Sequence, residues 1–158
     1  MTKYTGSFIS ESQLVKVVQD RLSVYGYRTF SEVPFMYRSI DVVVLDGKGR
    51  YIAIEAKIAD WRRAIQQAKP CLLGADKVYI VMPASRTSCV DMDVLRQFGI
   101  GLVAVGVGAP RVLVRARRSS YRMAPYAKAL KEAIGSRDQD SKGALDGNSC
   151  AIRNTPRP

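Results

Sequence analysis

Two short segments decide the fold of this chain: Ile40-Asp41-Val42-Val43-Val44-Leu45 and Ile52-Ala53-Ile54-Glu55-Ala56-Lys57. Each segment has the composition of a buried β-strand, yet each carries ionisable side chains within its apolar run. Burying an ionised carboxylate is costly unless a cation or hydrogen bonds compensate it. The two segments therefore indicate a divalent-metal site on neighbouring strands rather than ordinary core.

The loop between the segments predicts how the two strands pair. Gly47-Lys48-Gly49 suits a three-residue hairpin loop with its last glycine in the left-handed conformation, which pairs Asp46 with Arg50. The same register sets Asp41 opposite Glu55 on one face of the sheet, with their Cβ atoms about 5 Å apart. A loop one residue shorter or longer would place these carboxylates on opposite faces.

A metal ion would resolve the repulsion between the two carboxylates. Without a cation between them, one of the two would be protonated. Hard oxygen ligands suit Mg²⁺ or Mn²⁺, and Lys57 lies on the same strand face as Glu55, where its ammonium would orient an attacking water or stabilise a phosphate. The alternative interpretation is that Asp41 begins an exposed strand end and that Glu55 and Lys57 form a solvated surface pair.

Composition favours a single basic domain that binds a polyanion. The chain has 158 residues, 25 Lys and Arg against 14 Asp and Glu, and a net charge of +11. This length supports one domain with a real core, and the charge favours nucleic acid as the partner. The alternative is a basic protein whose charge serves solubility alone.

Cysteine usage and hydropathy indicate the compartment. Cys71, Cys89 and Cys150 are widely spaced and odd in number, and the chain has no histidine, so neither a disulfide framework nor a zinc pattern is expected. The N-terminus has no long apolar run, which predicts no signal peptide and no membrane span. We therefore expect a cytoplasmic protein that does not bind membranes.

Hydrophobic periodicity places the two strands in a larger order. Residues 10–25 have the pattern of a capped helix, a strand precedes the two site-bearing strands, and a helix from Trp61 and a buried strand over 77–82 follow them. Glu11 falls on the apolar side of the first helix, either as a metal ligand or water-holder or as a partner of the helix dipole. From residue 135 onward the apolar content collapses, which predicts a domain over 1–134 and a disordered tail over 135–158.

This order, with its acids and lysine, resembles the PD-(D/E)XK nuclease superfamily, the fold of type II restriction enzymes and archaeal Holliday-junction resolvases. The matching region covers residues 10–83, and it departs from the pattern where Ile40 replaces a proline that varies in the superfamily. The resemblance implies an α/β fold with an αβββαβ core, in which a central mixed sheet is flanked by helices.

The resemblance also implies roles for individual residues. Asp41 and Glu55 would bind the metal with the backbone carbonyl of Ala56, and Lys57 would assist the nucleophilic water. Glu11 would match the first-helix acid of resolvase-like members. A glutamine of the second helix would lie near the site; Gln67 is the first candidate and Gln66 the other, and both have the alternative of a solvated helix flank.

Together these features predict a metal-dependent nuclease, most simply a DNA endonuclease. The alternatives are a non-catalytic nucleic-acid-binding module of the same fold and an RNA-directed nuclease. Seven arginines are candidates for holding the phosphate backbone; the alternative for those of the later strand is a charged, solvated sheet edge. They are Arg62, Arg63, Arg111, Arg115, Arg117, Arg118 and Arg122. The sequence leaves the oligomeric state open between a monomer and a homodimer, for which an exposed apolar patch near Phe35 and Met36 is the candidate interface.

Overall fold

Six strands form one mixed sheet with helices on both faces in the computed structural model of this protein, which describes residues 7–8 and 10–146. The elements in chain order are α1 (Glu11–Val24), β1 (Arg28–Phe35), β2 (Arg38–Leu45), β3 (Tyr51–Ala56), α2 (Trp61–Ala68), β4 (Lys77–Pro83), α3 (Met92–Phe98), β5 (Gly101–Val105), β6 (Arg111–Val114) and α4 (Ala124–Asp146). Two 3₁₀ segments, Lys69–Leu73 and Ala84–Cys89, lie on either side of β4.

The strands are adjacent in the sheet in the same order as in the sequence. β1, β2 and β3 form an antiparallel meander, β3, β4 and β5 run parallel, and β6 returns antiparallel to β5. The predicted α/β class, the αβββαβ order and the mixed sheet flanked by helices are confirmed. Because β3, β4 and β5 are parallel, their carboxyl ends lie at the same end of the sheet. Ligands of open α/β sheets bind at the carboxyl ends of the strands.

Each face of the sheet has its own apolar core. On one face α1 packs Leu14, Val17 and Val18 against residues of β2 and β3 that include Val42, Val44 and Ile54. On the other face the apolar residues of α2, α3 and α4 cover a larger cluster that includes Val43. Burial on both faces explains why the central strands have nearly continuous apolar runs.

Two segments need comment: β1, which contains a proline, and α4, which extends beyond the predicted end of the domain. Pro34 lies within β1, which is an edge strand, and an edge strand tolerates a residue without an N–H. α4 continues to Asp146, so the predicted tail does not begin at residue 135, and residues 147–158 of that prediction lie outside the described part of the chain. Polar contacts hold this extension on β1: Arg137 donates to the backbone carbonyl of Ser31, and Asp138 pairs with Arg28.

The predicted apolar surface patch is only partly present. Phe35 is buried, with its ring edge-on to Tyr126 at a centroid distance of 6.5 Å. Met36 and Tyr37 are exposed at the tip of the β1–β2 turn. Phe35 is therefore core, and the homodimer stays a prediction without it. Among the described helices, none has the length and apolarity needed to cross a bilayer.

Candidate active site

The hairpin between β2 and β3 has the predicted register. Val42 pairs with Ile54 and Val43 with Ala53, so the next position along the same ladder sets Asp41 opposite Glu55. Gly49 takes a left-handed φ of 74°, which a residue without Cβ adopts at no steric cost. The turn that selects this register is thus encoded locally.

The side chain of Asp46 stabilises that turn. It accepts hydrogen bonds from the N–H groups of Lys48 and Arg50, each at 2.9 Å, and from Arg50 Nε at 2.7 Å. Burial would raise the pKa of Asp46, but the hydrogen bonds from Arg50 and Lys48 outweigh it and lower the pKa below its usual range. An ionised Asp46 therefore supports the loop geometry on which the position of the site depends.

Asp41 bridges the two site-bearing strands. Its Oδ2 accepts a hydrogen bond of 2.8 Å from the N–H of Ala56, the residue between Glu55 and Lys57. Asp41 immediately precedes Val42, the first residue of β2 that pairs with β3. Its carboxylate therefore accepts from an N–H of β3 that backbone pairing with β2 leaves without a partner. The contact brings Asp41 to the segment of β3 that carries Glu55 and that Lys57 follows.

Glu55 is fully buried and has two partners. Arg38 Nη2 lies 2.8 Å from Glu55 Oε2, and the Cys71 thiol donates to Oε1 at 3.6 Å. Burial raises the pKa of Glu55 to about 8, the negative charge of Asp41 adds to this effect, and Arg38 acts against both. Burial also raises the pKa of the Cys71 thiol far above its usual range, so the thiol remains a donor.

Lys57 is buried and paired with the first-helix acid. Its Nζ lies 2.7 Å from Glu11 Oε2. Ser10 caps α1 by accepting from the N–H of Gln13 at 3.2 Å, which fixes Glu11 in the first turn beside the end of β3. Glu11 is therefore the ion-pair partner of Lys57 in this structure, and its role as a metal ligand stays a prediction.

Gln67 is the glutamine that faces the site region. Its Oε1 is buried and has no hydrogen-bond partner in the part of the chain that the structure describes, whereas Gln66 is exposed. An unpaired buried acceptor is costly and calls for an explanation such as a bound donor or ion. Both glutamines line an open cavity of 590 Å³ together with Arg38, Arg63 and other residues of β1, β2 and the turn between them.

Sequence patterns did not reveal Arg38. Strict alternation along β2 would put Arg38 and Asp41 on opposite faces of the sheet. In the structure Ile40 and Val43 pack into the same cluster although they are three residues apart. This break in alternation places Arg38, which shares the face of Ile40, on the side of Glu55.

The break coincides with a strained residue in the neighbouring strand. Backbone pairing joins Ser31 to Val42 and Val33 to Ile40 but skips the position between them, where Glu32 faces Asp41. Glu32 has a φ of 51°, a conformation that non-glycine residues rarely adopt. A local twist at Glu32 and Asp41 therefore turns both side chains away from an ideal ladder, and no sequence signal predicts it.

The predicted arginines divide between the two ends of the sheet. Arg62 and Arg63 lie in the first turn of α2 beside the site, and Arg111 pairs with Ala104 near the site end of β5. At the opposite end, the N–H of Arg117 binds the carbonyl of Gly99, just before β5. Arg115 follows the last residue of β6 on that side.

Arg118 and Arg122 have a structural partner at this far end. They lie 3.8 Å and 3.7 Å from Oδ1 of Asp76, which immediately precedes β4. Oδ2 of Asp76 accepts a hydrogen bond of 3.0 Å from the N–H of Tyr51. β6 is antiparallel to β5, so it leads the chain away from the end of the sheet where β3 finishes. The structure therefore separates four arginines from the acids of the site: Arg115, Arg117, Arg118 and Arg122.

The oxygen donors that this region could offer a hard cation are two carboxylates and one backbone carbonyl. Among the side chains that the structure describes, no group of three or more Asp, Glu, Cys or His residues is arranged around a common point. Asp41 and Glu55 form a pair of carboxylates close enough for one to raise the pKa of the other. Mg²⁺ is typically bound by one or two carboxylates plus waters, which matches this pair with the Ala56 carbonyl as a further oxygen.

Comparison with solved structures shows the fold. SPO1766, a protein of unknown function from Silicibacter pomeroyi, matches with a TM-score of 0.65 and 18% identity over 94% of this chain and 100% of that chain. A repair endonuclease from Pyrococcus abyssi matches with a TM-score of 0.49 and 17% identity over 66% of this chain and 50% of that chain. No protein-family model matches the sequence, and no curated protein matches it.

Proposed function

We propose that this protein is a metal-dependent nuclease of the PD-(D/E)XK type that hydrolyses phosphodiester bonds, most simply in DNA. The observation that carries the proposal is the contact of the Asp41 carboxylate with the N–H of Ala56, inside the Glu55-Ala56-Lys57 segment. This contact links Asp41 to the segment that carries Glu55 and Lys57, at the carboxyl end of a parallel strand. The net charge of +11 supports a polyanionic substrate.

Each residue of the site has a chemical role in this proposal. Asp41, Glu55 and the carbonyl of Ala56 would hold Mg²⁺ or Mn²⁺, which supplies Lewis acidity and a water of lowered pKa when bound. Lys57 would position the attacking water and stabilise the charge on the phosphate. Glu11 would hold the Lys57 ammonium, and Gln67 would use its unpaired amide oxygen to bind a water or a metal-bound donor.

A second candidate function is a nucleic-acid-binding module without catalysis, acting in the cytoplasm like the first. It is favoured by the internal contacts of the site, since Arg38 occupies an oxygen of Glu55 and Glu11 pairs with Lys57. The free thiols of Cys71 and Cys89 support a reducing compartment for either function.

A cleavage panel tests the proposal and separates the two candidates. Linear, nicked, forked and four-way DNA and single-stranded RNA are incubated with the full chain in Mg²⁺, in Mn²⁺ and in EDTA. We expect DNA cutting that EDTA stops and that Lys57→Ala lowers by at least about 100-fold. Lys48→Ala, an exposed lysine of the hairpin loop, is the charge-matched control and should cut normally.

The outcomes distinguish catalysis from binding. Tight binding by a wild-type protein that cuts no substrate with either metal would favour the binding module. Equal cutting by the wild type and by Lys57→Ala would show that the nuclease activity does not come from this site. Cutting of RNA in preference to DNA would keep the mechanism and change the substrate.

A further inference from the structure

We infer that the open cavity beside Glu55 is a phosphate-binding subsite for the nucleic-acid strand, and that Arg38 leaves Glu55 for this phosphate, so that nucleic acid and metal bind cooperatively. The inference rests on the proposed function and deepens it. It adds a substrate-binding residue, Arg38, that the resemblance does not supply. It also explains why a buried metal ligand is covered by an arginine.

The chemistry of the cavity fits an anion with hydrogen-bonding groups. Its lining contains two guanidinium groups, two primary amides, a hydroxyl, a phenol and one carboxylate, and its volume is 590 Å³. These groups belong to Arg38, Arg63, Gln66, Gln67, Ser39, Tyr37 and Glu32. The two cations exceed the one acid, and fork-shaped guanidinium donors match phosphate oxygens in geometry. The exposed ring of Tyr37 at the edge offers a stacking surface for a base.

Arg38 connects this cavity to the proposed metal ligand. Its Nη2 donates to Glu55 Oε2 at 2.8 Å, and its Nε makes a long contact of 3.4 Å with the carbonyl of Ser39. A guanidinium has five N–H donors, so these two contacts leave donors for a further acceptor. The side chain is one-fifth exposed and lines the cavity, which gives it access to a ligand there.

Arg38 and a metal ion compete for the same carboxylate oxygen. While Arg38 holds Glu55 Oε2, a cation near Glu55 is opposed by the positive charge of the guanidinium and by the need to break a charge-assisted hydrogen bond. A phosphate that draws Arg38 into the cavity removes both obstacles. By thermodynamic linkage the metal must then strengthen nucleic-acid binding by the same factor. Typical couplings of this kind correspond to about 5- to 150-fold.

The experiment measures Mn²⁺ binding by isothermal titration calorimetry, with and without a short DNA duplex, on the full chain carrying Lys57→Ala to prevent cutting. We expect DNA to increase the Mn²⁺ affinity by about 5- to 150-fold. In the double variant Lys57→Ala/Arg38→Gln the affinity should no longer respond to DNA. The control Lys57→Ala/Arg117→Gln, altered at the opposite end of the sheet, should keep the coupling.

A second variant covers the case in which Arg38→Gln does not fold. Lys57→Ala/Arg63→Gln removes the other cation of the cavity and leaves Glu55 and its partner in place. It should weaken DNA binding in fluorescence anisotropy, while the Mn²⁺ affinity without DNA stays unchanged.

Failure of the inference and failure of the proposed function give different results. Equal Mn²⁺ affinities with and without DNA, or coupling that survives Arg38→Gln, would overturn the role of Arg38 and leave the nuclease site standing. No Mn²⁺ uptake in any variant, even with DNA present, would overturn the metal-dependent function itself.

Discussion

Replacing Glu55 by glutamine should stabilise the metal-free protein increasingly as the pH rises. Glu55 is fully buried beside Asp41, and burial with that neighbouring charge raises its pKa from 4.5 to about 8. Glutamine keeps the shape and the hydrogen-bonding ability of the protonated acid without its ionisation. The difference between the two proteins therefore reports the cost of holding this carboxyl in the core.

The sign and size of the effect follow from proton linkage. Below about pH 4.5 Glu55 is protonated in both the folded and the unfolded chain, so pH has no effect through this group. Between that value and about pH 8 the unfolded chain is ionised while the folded chain retains the proton, so the free energy of unfolding falls by about 1.4 kcal/mol per pH unit. The advantage of Glu55→Gln should reach about 3 kcal/mol at pH 7 and about 5 kcal/mol above pH 8.

Urea denaturation in EDTA between about pH 5 and about pH 9 measures this difference. Glu132→Gln, which removes an exposed carboxylate of α4 paired with Lys128, is the matched control and should show no comparable trend. A gap between wild type and Glu55→Gln that stays constant across this range would mean that Glu55 ionises normally in the folded protein. The burial argument would then be wrong.

Three further substitutions test other parts of the molecule. Asp41→Ala should abolish cutting in the plasmid assay and leave DNA affinity in gel shifts largely intact; weakened DNA binding instead would make Asp41 a structural residue. Gln67→Met should raise the free energy of unfolding by about 1 kcal/mol, because it removes an unpaired buried acceptor, and it should lower the cutting rate. An unchanged free energy of unfolding in urea denaturation would argue that the Gln67 amide oxygen has a hydrogen-bond partner in solution. Gly101→Ala should lower the melting temperature, at a cost of about 1–3 kcal/mol. The added Cβ would meet the ring of Tyr79 and would lie 2.8 Å from the backbone nitrogen of Ala116. Unchanged melting would show that both the Tyr79 ring and the backbone at Ala116 relax around the new methyl group.

Local signals were sufficient for most of the fold and for part of the site. The hairpin register followed from a loop in which Gly49 takes a positive φ and Asp46 binds the backbone, both of which are properties of a few adjacent residues. The same register then brought Asp41 to β3. The capped start of α1 placed Glu11 in its first turn, and tertiary packing set that turn beside Lys57.

Features that depend on contacts between distant parts of the chain could not be predicted from local sequence patterns. The domain was expected to end at residue 134 because the apolar content falls there. α4 nevertheless continues, and Arg137 and Asp138 hold its next turn against β1 through polar contacts. The arginines after β6 were grouped with the site by charge, and the antiparallel return of β6 places Arg117 at the other end of the sheet.

The sequence by itself determined the order of the elements, the register of the hairpin and the candidate metal ligands, because hydrophobic periodicity and turn chemistry act over a few neighbouring residues. The tertiary structure alone decided that Glu55 is buried, that Arg38 covers it, and that Gln67 is left with an unpaired oxygen. These properties depend on a twist between β1 and β2 at Glu32 and on the packing of α2 over the sheet. Desolvation and pairing are set by everything that surrounds a group, and that surrounding is assembled from segments far apart in the chain.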